Sequence, residues 1–406
     1  MTGFGGGSTP ERGHLPTSRT PLQHAGPIVE TGHSARRGGP AADVPSADLP
    51  GRPVITDRVP SFGAAQTDVP RGRRTARRAL ARPSLPALVG LVLALGVFAA
   101  HDPAMLTWGG MATVLDSAAL LGIGGVAVAL LLIAGQFDLS IGVVAVASSL
   151  VTALLIGNAG WSVWPALLAS LVAALAVGVV NGVLVVNTGL PSFLVTLATY
   201  LILQGTAQAG THALAGSARV AGLDHAPGWA SAAAVFGATH QVGEGRFRVS
   251  LLWWVGVTAL GAWVLWRTRF GNAVFASGGA RRAARELGVP VRRTTVALFC
   301  LTATAGWLLG TLSLVRLDGV QATTPGLISA VDFIVVAVIG GCLLTGGFGS
   351  IIGASLGALL YAVSREGIAL AGWDQRWFQA LLGVLLLMAL LANGQVRRRL
   401  KAVPRS

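Results

Sequence analysis

Lysine is almost missing from this chain. Among 406 residues there is one, Lys401, although Lys and Arg together number 30. A nucleotide-binding P-loop needs a lysine after a glycine-rich turn, where it reaches the phosphates. Lys401 has no such turn before it. The chain therefore carries no Walker-type ATP site, and any ATP that drives its work is hydrolysed on another subunit. Cysteine is nearly as scarce. Cys300 and Cys342 both lie in apolar segments and make no disulfide framework. The seven histidines, at 14, 24, 33, 101, 212, 225 and 240, avoid the middles of the apolar segments, and no HExxH occurs. An intramembrane hydrolase needs a nucleophile beside a base, or a metal cluster. Neither is legible, so we expect no catalysis, no metal and no cofactor in this chain. Charge is also low, at 11% of residues against 53% hydrophobic, and the mean hydropathy is +0.67. That composition excludes an ordinary soluble enzyme and fits a membrane chain.

The charge that is present has one sign. The net charge is +14, carried almost wholly by arginine. It sits in the N-terminal tail, in residues 267–293 and in Arg397-Arg398-Arg399-Leu400-Lys401. A basic tail can serve nucleic acid or flank membrane spans and face anionic lipid. The apolar segments between these regions select membrane lipid, with no nucleic acid partner.

Residues 1–83 are rich in Gly, Pro, Ser, Thr and Arg and poor in large apolar residues. They cannot bury a core and are expected to be disordered. The first apolar run starts near Leu85, too late for a cleaved signal peptide. The chain is therefore expected to begin in the cytoplasm and insert uncleaved. Ten apolar segments follow, at about 84–101, 109–134, 138–158, 163–187, 190–211, 249–267, 294–315, 328–345, 350–371 and 376–393. Each is near the ~20 residues a helix needs to cross ~30 Å of hydrocarbon. The second and third are separated only by Gly135-Gln136-Phe137, so either is a candidate for a broken or re-entrant helix. The fold class predicted is an all-α polytopic membrane protein of about ten transmembrane helices. Its parts are a tail at 1–83, a transmembrane domain at 84–393 and a basic C-terminal tail at 394–406.

Residues 267–293 read as the only long polar stretch between Leu85 and Ala392. They hold Arg267, Arg269, Arg281, Arg282, Arg285, Arg292 and Arg293 against one acid, Glu286. Basic loops stay on the cytoplasmic side. With the N-terminus inside, ten spans return the C-terminus inside, and this loop after the sixth span is inside too. Three basic regions thus agree on one topology, which places both termini in the cytoplasm. Gly279 to Gly288 contains a short helical pattern that looks like a docking surface for a cytoplasmic partner. Trp108, Trp161, Trp164, Trp253, Trp266, Trp373 and Trp377 fall near span ends, as interfacial rings do. Glycines such as Gly340-Gly341, Gly346-Gly347, Gly349, Gly353 and Gly357 let helices approach closely.

Charged residues inside spans are costly and usually functional. Asp138, with Ser140 two residues on, either caps a helix starting at Leu139–Ile141 or shapes the permeation path. Asp332 reads as a cap near an outer helix start, and Asp116 as a residue near an interface. Pro191 fits the first turn of a helix. Thr196, Thr199 and Gln204 beyond it fall on roughly one side, to meet a polar solute or bond a neighbouring helix.

Several of these segments together resemble one family, the permease subunits of bacterial ABC importers for ribose, xylose and galactose. Ala134–Gly142 is similar to its G-G-x-D-L-S-x-G motif, and Asn181-Gly182 followed by Leu190–Leu197 to its N-G…P-P-F-I-V-T-L stretch. Phe270-Gly271 through Gly278-Gly279, Ala283-Ala284 and Gly288 resembles its loop. Asp332, Gly340-Gly341, Gly346-Gly347 and Gly349-Ser350 resemble its late glycine-rich region. The likeness runs over about 84–393.

The resemblance implies a pore of two permeases, as a homodimer or heterodimer, in the inner membrane. It implies a cytoplasmic ABC ATPase that holds ATP and Mg, and an extracytoplasmic sugar-binding protein. Coupling to the ATPase would fall to Gly278, Gly279, Arg281, Arg282, Ala283, Ala284 and Gly288. Pore shaping would fall to Asp138, Ser140, Asn181, Pro191, Thr196, Thr199 and Gln204. The sequence departs from the family pattern at Ala280, where an asparagine is usual. Arg282 replaces an acid, which suits a more acidic ATPase groove. The expected function is permeation of a monosaccharide. Rival readings are a nucleoside, polyol or branched-chain amino acid permease of the same build, a secondary transporter, which would more often carry ion-relay charges, and a lipid-binding scaffold.

Overall fold

The computed structural model describes residues 84–323 and 326–401, excluding the side chains of 326–329 and 395–401. The expected disorder of residues 1–83 lies outside the described residues. Each of the ten apolar segments is a helix: α1 (Leu85–His101), α2 (Trp108–Ile133), α3 (Ile141–Gly157), α4 (Val163–Thr188), α5 (Ser192–Ala215), α7 (Ser250–Arg267), α10 (Val291–Leu317), α11 (Gly326–Ile339), α12 (Ile351–Leu370) and α13 (Trp377–Lys401). Between them lie a short α6 (Trp229–Ala232), the loop helices α8 (Arg269–Gly279) and α9 (Arg281–Glu286), and two strand pairs. These are β1 (Arg219–Ala221) with β4 (Gly319–Gln321), and β2 (Thr239–Val242) with β3 (Gly245–Arg248), both antiparallel. Among the described residues, α2, α4, α10, α12 and the start of α13 are long and apolar enough to cross a membrane. The helices α1, α3 and the end of α11 are apolar but shorter.

The connections sort alternately onto two ends, as ten crossings require. At one end residues 134–140, 189–191, 268–290 and 340–350 meet. There Gly347 N donates to Ile133 O at 2.8 Å, and Phe137 N to Ser192 Oγ at 2.9 Å. At the other end residues 102–107, 158–162, 216–249, 318–323 and 371–376 meet. Here Arg219 pairs with Gln321 across β1 and β4, Val163 N donates to Pro227 O, and Phe98 packs its ring edge-on to Trp373.

Local sequence explains the element boundaries. Thr107 Oγ1 accepts from Gly110 N at the start of α2, and Ser350 Oγ from Gly353 N at the start of α12. Such caps satisfy backbone N–H groups that have no partner inside the helix. The α2 helix is buried almost all round from Ala118 to Ile133, which makes it the central helix. Against it pack α7, α10, α11 and α12. Small residues set the close crossings. A Cβ on Gly310 would lie 2.2 Å from Ala145 O, and one on Gly182 would lie 2.7 Å from Val296 Cα. The outward faces of α1, α4 and α13 expose Leu93, Val97, Leu168, Val172, Leu387 and Leu391. That is the apolar surface a lipid-facing helix presents.

The structure corrects the sequence reading at several points. Residues 267–293 are not the only long polar stretch, because 216–249 forms a second one built of α6, the β2–β3 hairpin and β1. Its strands are three or four residues long, too short to show a period of two. The eighth apolar segment stops at Ile339 rather than 345, since Gly341, Gly346 and Gly347 take left-handed conformations (φ 97°, 76° and 76°) that end the helix. These three glycines therefore turn the chain, whereas Gly340, Gly353 and Gly357 do bring α11 and α12 together. Asp332 is not at a helix start. It lies well inside α11 and lines the same cavity as Arg365 of α12. The expected tail 394–406 continues α13 as far as Lys401.

Candidate functional site

Three features converge on the helix core: a buried polar network, a glycine junction and a cavity at the end opposite the basic loop. The network is built on the break between α2 and α3. Residues 134–140 are non-helical and largely buried, with Gln136, Asp138 and Ser140 each under 7% exposed. Non-helical backbone at this depth needs protein partners, because lipid supplies none. The partners come from three other helices. Phe137 N donates to Ser192 Oγ and Leu139 N to Thr196 Oγ1, both on α5. Asp138 Oδ1 accepts from Ser140 N at 2.7 Å and Ser140 Oγ at 2.6 Å, while Oδ2 accepts from Thr302 Oγ1 on α10 at 2.6 Å. Asn181 of α4 donates to Ser140 Oγ at 3.0 Å and accepts from Thr199 Oγ1 at 2.6 Å. Asp138 thus both orders the start of α3 and ties it to α10.

Of the pore-shaping candidates, Asp138, Ser140, Asn181, Thr196 and Thr199 belong to this one network. Pro191 sits exposed at the N-cap of α5, one residue before its first turn. Gln204 lies apart, donating to Ala322 O near β4, with its Oε1 buried and unpartnered. Sequence reasoning missed Ser192 and Thr302 as members. Thr302 is 164 residues from Asp138, and no linear spacing signals that contact.

The glycine junction joins the network to the basic loop. Gly278, at the end of α8, lies so close to the α2 terminus that a Cβ there would fall 1.9 Å from Ile133 O and 2.5 Å from Gly347 N. A Cβ on Gly346 would lie 2.8 Å from Gly135 Cα, and one on Gly347 would lie 2.8 Å from Gly279 Cα. Both breaks in the helix core, at 134–140 and at 340–350, therefore touch the loop through bare backbone. Beyond the junction, Ala280 interrupts the expected single helix and α9 begins. In α9 Ala284 is buried, Arg281 is half-buried, and Arg282, Ala283 and Gly288 are exposed. Burial, and secondarily the charge of Arg285, lowers the pKa of Arg281 from the ordinary arginine value. Leu287 follows, 84% exposed, so this apolar side chain stands clear of the protein surface.

The cavity, at the end opposite the basic loop, has a volume of about 660 Å³ and opens to the surface. Its polar lining includes Asp116, Ser117, Ser149, Arg316, Asp332 and Arg365. Arg316 Nη1 lies 2.8 Å from Asp116 Oδ2, and Arg248 Nε from β3 lies 3.3 Å from the same oxygen. Ser117 Oγ donates to Glu366 Oε1 at 2.9 Å. Carboxylate acceptors and guanidinium donors therefore face one space inside an otherwise apolar helix bundle. Sequence reading placed Asp116 near an interface and made no connection to the arginines, because they arrive on different elements. Among the described residues no cluster of His, Cys, Asp and Glu is disposed to hold a metal.

Comparison with known proteins decides the family. Residues 110–390 match the family model described as branched-chain amino acid transport system / permease component. The chain belongs to this permease family. It is 31% identical over 296 residues to the fructose import permease FrcC of Rhizobium meliloti, covering 71% of this chain and 78% of that one. It is 27% identical to the ribose import permease RbsC of Escherichia coli, over 76% of this chain and 92% of that one. It is 28% identical to the galactose/methyl galactoside import permease MglC of Escherichia coli, over 74% and 91%. No solved structure matches. The chain is thus a multi-pass permease subunit of an ABC importer, a transport component rather than an enzyme. Such a permease works with an ATPase and a substrate-binding protein.

Proposed function

We propose that this permease forms the translocation path for a monosaccharide such as ribose, xylose, galactose or fructose, across a bacterial inner membrane. The observation that carries the reading is the agreement of the relatives. Permeases named for fructose, ribose and galactose each align with more than two thirds of this chain. The cavity opposite the basic loop is consistent with that substrate class. A neutral sugar offers hydroxyls that donate to Asp116 or Asp332 and accept from Arg316 or Arg365. The buried network around Asp138 shapes the inner end of the path.

Partners follow from the surfaces. The α8–α9 loop docks on a cytoplasmic ATPase, which holds ATP and Mg. Exposed Arg282 suits an acidic groove, and Leu287 supplies an apolar anchor. Closure of the ATPase would then reach both helix breaks through the glycine junction. A second permease copy covers α5. That helix exposes Gln208 beside Gly205 and Gly210, small residues that let a facing helix approach closely. The end that carries 268–290 faces the cytoplasm, by the rule that basic loops stay inside. Both termini lie on that side.

The test is uptake of labelled fructose, ribose, xylose, galactose and leucine by cells with and without the gene for this chain. The reading requires that one of the sugars depend on the chain and that leucine not do so. Dependence of leucine alone would reverse the assignment.

A further inference from the structure

The arginines of the basic loop divide into two groups. Arg282 stands on α9, turned toward the surface assigned to the ATPase. Arg292 and Arg293 stand elsewhere, in the first turn of α10, beside the last turn of α4. Together with Arg285, Gly288 and Asn187 they line an open recess of about 550 Å³. Arg292 donates to Asn187 Oδ1, which fixes one guanidinium at the rim. Among the described residues Arg285, Arg292 and Arg293 make no ion pair, whereas Arg248 and Arg316 at the other end share Asp116. Three exposed guanidiniums thus lie together without an acid.

A second recess, of about 410 Å³, continues directly from the first and shares Val186, Asn187, Arg292 and Arg293 with it. Its remaining lining is Val183, Val296 and Ala297, so it is apolar. It runs up the groove between α4 and α10 toward the lipid-facing side, where Val183 is 39% exposed. Positive head and apolar groove meet at the start of α10 and the end of α4, the ends of two apolar spans. That is the shape and polarity of a phospholipid. Zwitterionic headgroups leave the arginines partly uncompensated, while an anionic phosphodiester pairs with them.

We propose that the groove between α4 and α10 is a binding site for an anionic phospholipid, phosphatidylglycerol or its dimeric form cardiolipin. The phosphate lies among Arg285, Arg292 and Arg293, and an acyl chain lies along Val183, Val186 and Val296. The proposal depends on α4 and α10 being membrane spans and is independent of which solute is carried. The groove it occupies runs along the outside of the close α4–α10 crossing at Gly182 and Val296, and both helices meet the buried network, so the lipid would brace the inner end of the path.

The test is native mass spectrometry of the full-length detergent-solubilised protein, titrated with phosphatidylglycerol, cardiolipin and phosphatidylcholine. The wild type should retain anionic lipid in preference to phosphatidylcholine. Arg292→Gln/Arg293→Gln should lose about thirtyfold in anionic-lipid affinity, from the per-arginine attraction near a membrane surface. Arg219→Gln/Arg246→Gln, the same charge change at the other end, should lose nothing. Val183→Trp fills the apolar recess without altering charge and should also weaken retention, which keeps the test open if the arginine variant fails to fold. Equal loss in the Arg219/Arg246 variant, equal retention of all three lipids, or displacement by inorganic phosphate alone would overturn the site. So would unchanged lipid binding in an Arg292/Arg293 variant that loses a co-purified ATPase.

Discussion

Replacing Gly278 with alanine tests the joint between the loop and the helix core. The new Cβ would lie 1.9 Å from Ile133 O and 2.5 Å from Gly347 N, both backbone atoms that cannot rotate away. Overpacking of this kind costs about 1–3 kcal/mol. The same two atoms share a hydrogen bond of 2.8 Å. Prising them apart leaves buried groups unpaired, at a further ~1–3 kcal/mol. Alanine regains at most about 1 kcal/mol of helix propensity. The net penalty is about 1–5 kcal/mol, comparable to the few kcal/mol that separate working conformations. The neighbouring Gly279 is the control, since a Cβ there meets nothing within 4 Å. The assay compares solute uptake with ATP hydrolysis in proteoliposomes holding the permease and its ATPase. Gly278→Ala is expected to lower uptake at least about fivefold while the ATPase stays bound and still hydrolyses ATP. Gly279→Ala is expected to leave both unchanged. Full uptake by Gly278→Ala, or equal damage from Gly279→Ala, would refute the idea that motion passes through this joint.

Three further substitutions probe the polar groups. Asp138→Ala removes the acceptor for Ser140 N, Ser140 Oγ and Thr302 Oγ1. It should cost about 2–4 kcal/mol, visible as a lower thermal transition in detergent; an unchanged transition would contradict the network. Arg316→Ala leaves Asp116 with Arg248 and Ser250. Because the Arg316 side chain is 35% exposed, the loss should be about 1–2 kcal/mol, below the 3–5 of a fully buried pair, with the larger effect on uptake. Gln204→Met gives up the bond to Ala322 O but also removes a buried, unpartnered Oε1. These offset, so stability should move by less than about 1 kcal/mol in the same melting assay.

The helices were legible in the sequence because hydropathy is a local property. Each of the ten apolar runs is a helix; the second and third are each unbroken, and the short gap at 135–137 widens to a buried non-helical connection at 134–140. Hydropathy misjudged the eighth segment because Gly-Gly-Cys-Leu-Leu is apolar whether or not it is helical. The residues at the inner break were also legible, since Asp138, Ser140, Asn181, Thr196 and Thr199 are polar groups in apolar surroundings. Their partners Ser192 and Thr302 were not, because membership depends on which helices touch. The cavity was invisible for the same reason: Asp116, Arg316, Asp332 and Arg365 lie on α2, α10, α11 and α12. Gly278 was marked by its likeness to a family loop, but only the backbone approach explains why a side chain is excluded there.

The central claim is that an ATPase drives this permease through α8 and α9. The most direct measurement is co-purification of the detergent-solubilised full chain with its ATPase, comparing wild type with Arg282→Glu/Leu287→Ser. Both substituted side chains are exposed, so the variant should still fold and reach the membrane. The account predicts that the wild type brings down a polypeptide with ATPase activity and that the variant does not. A well-folded wild type with no associated ATPase, or a variant that retains it fully, would contradict the account.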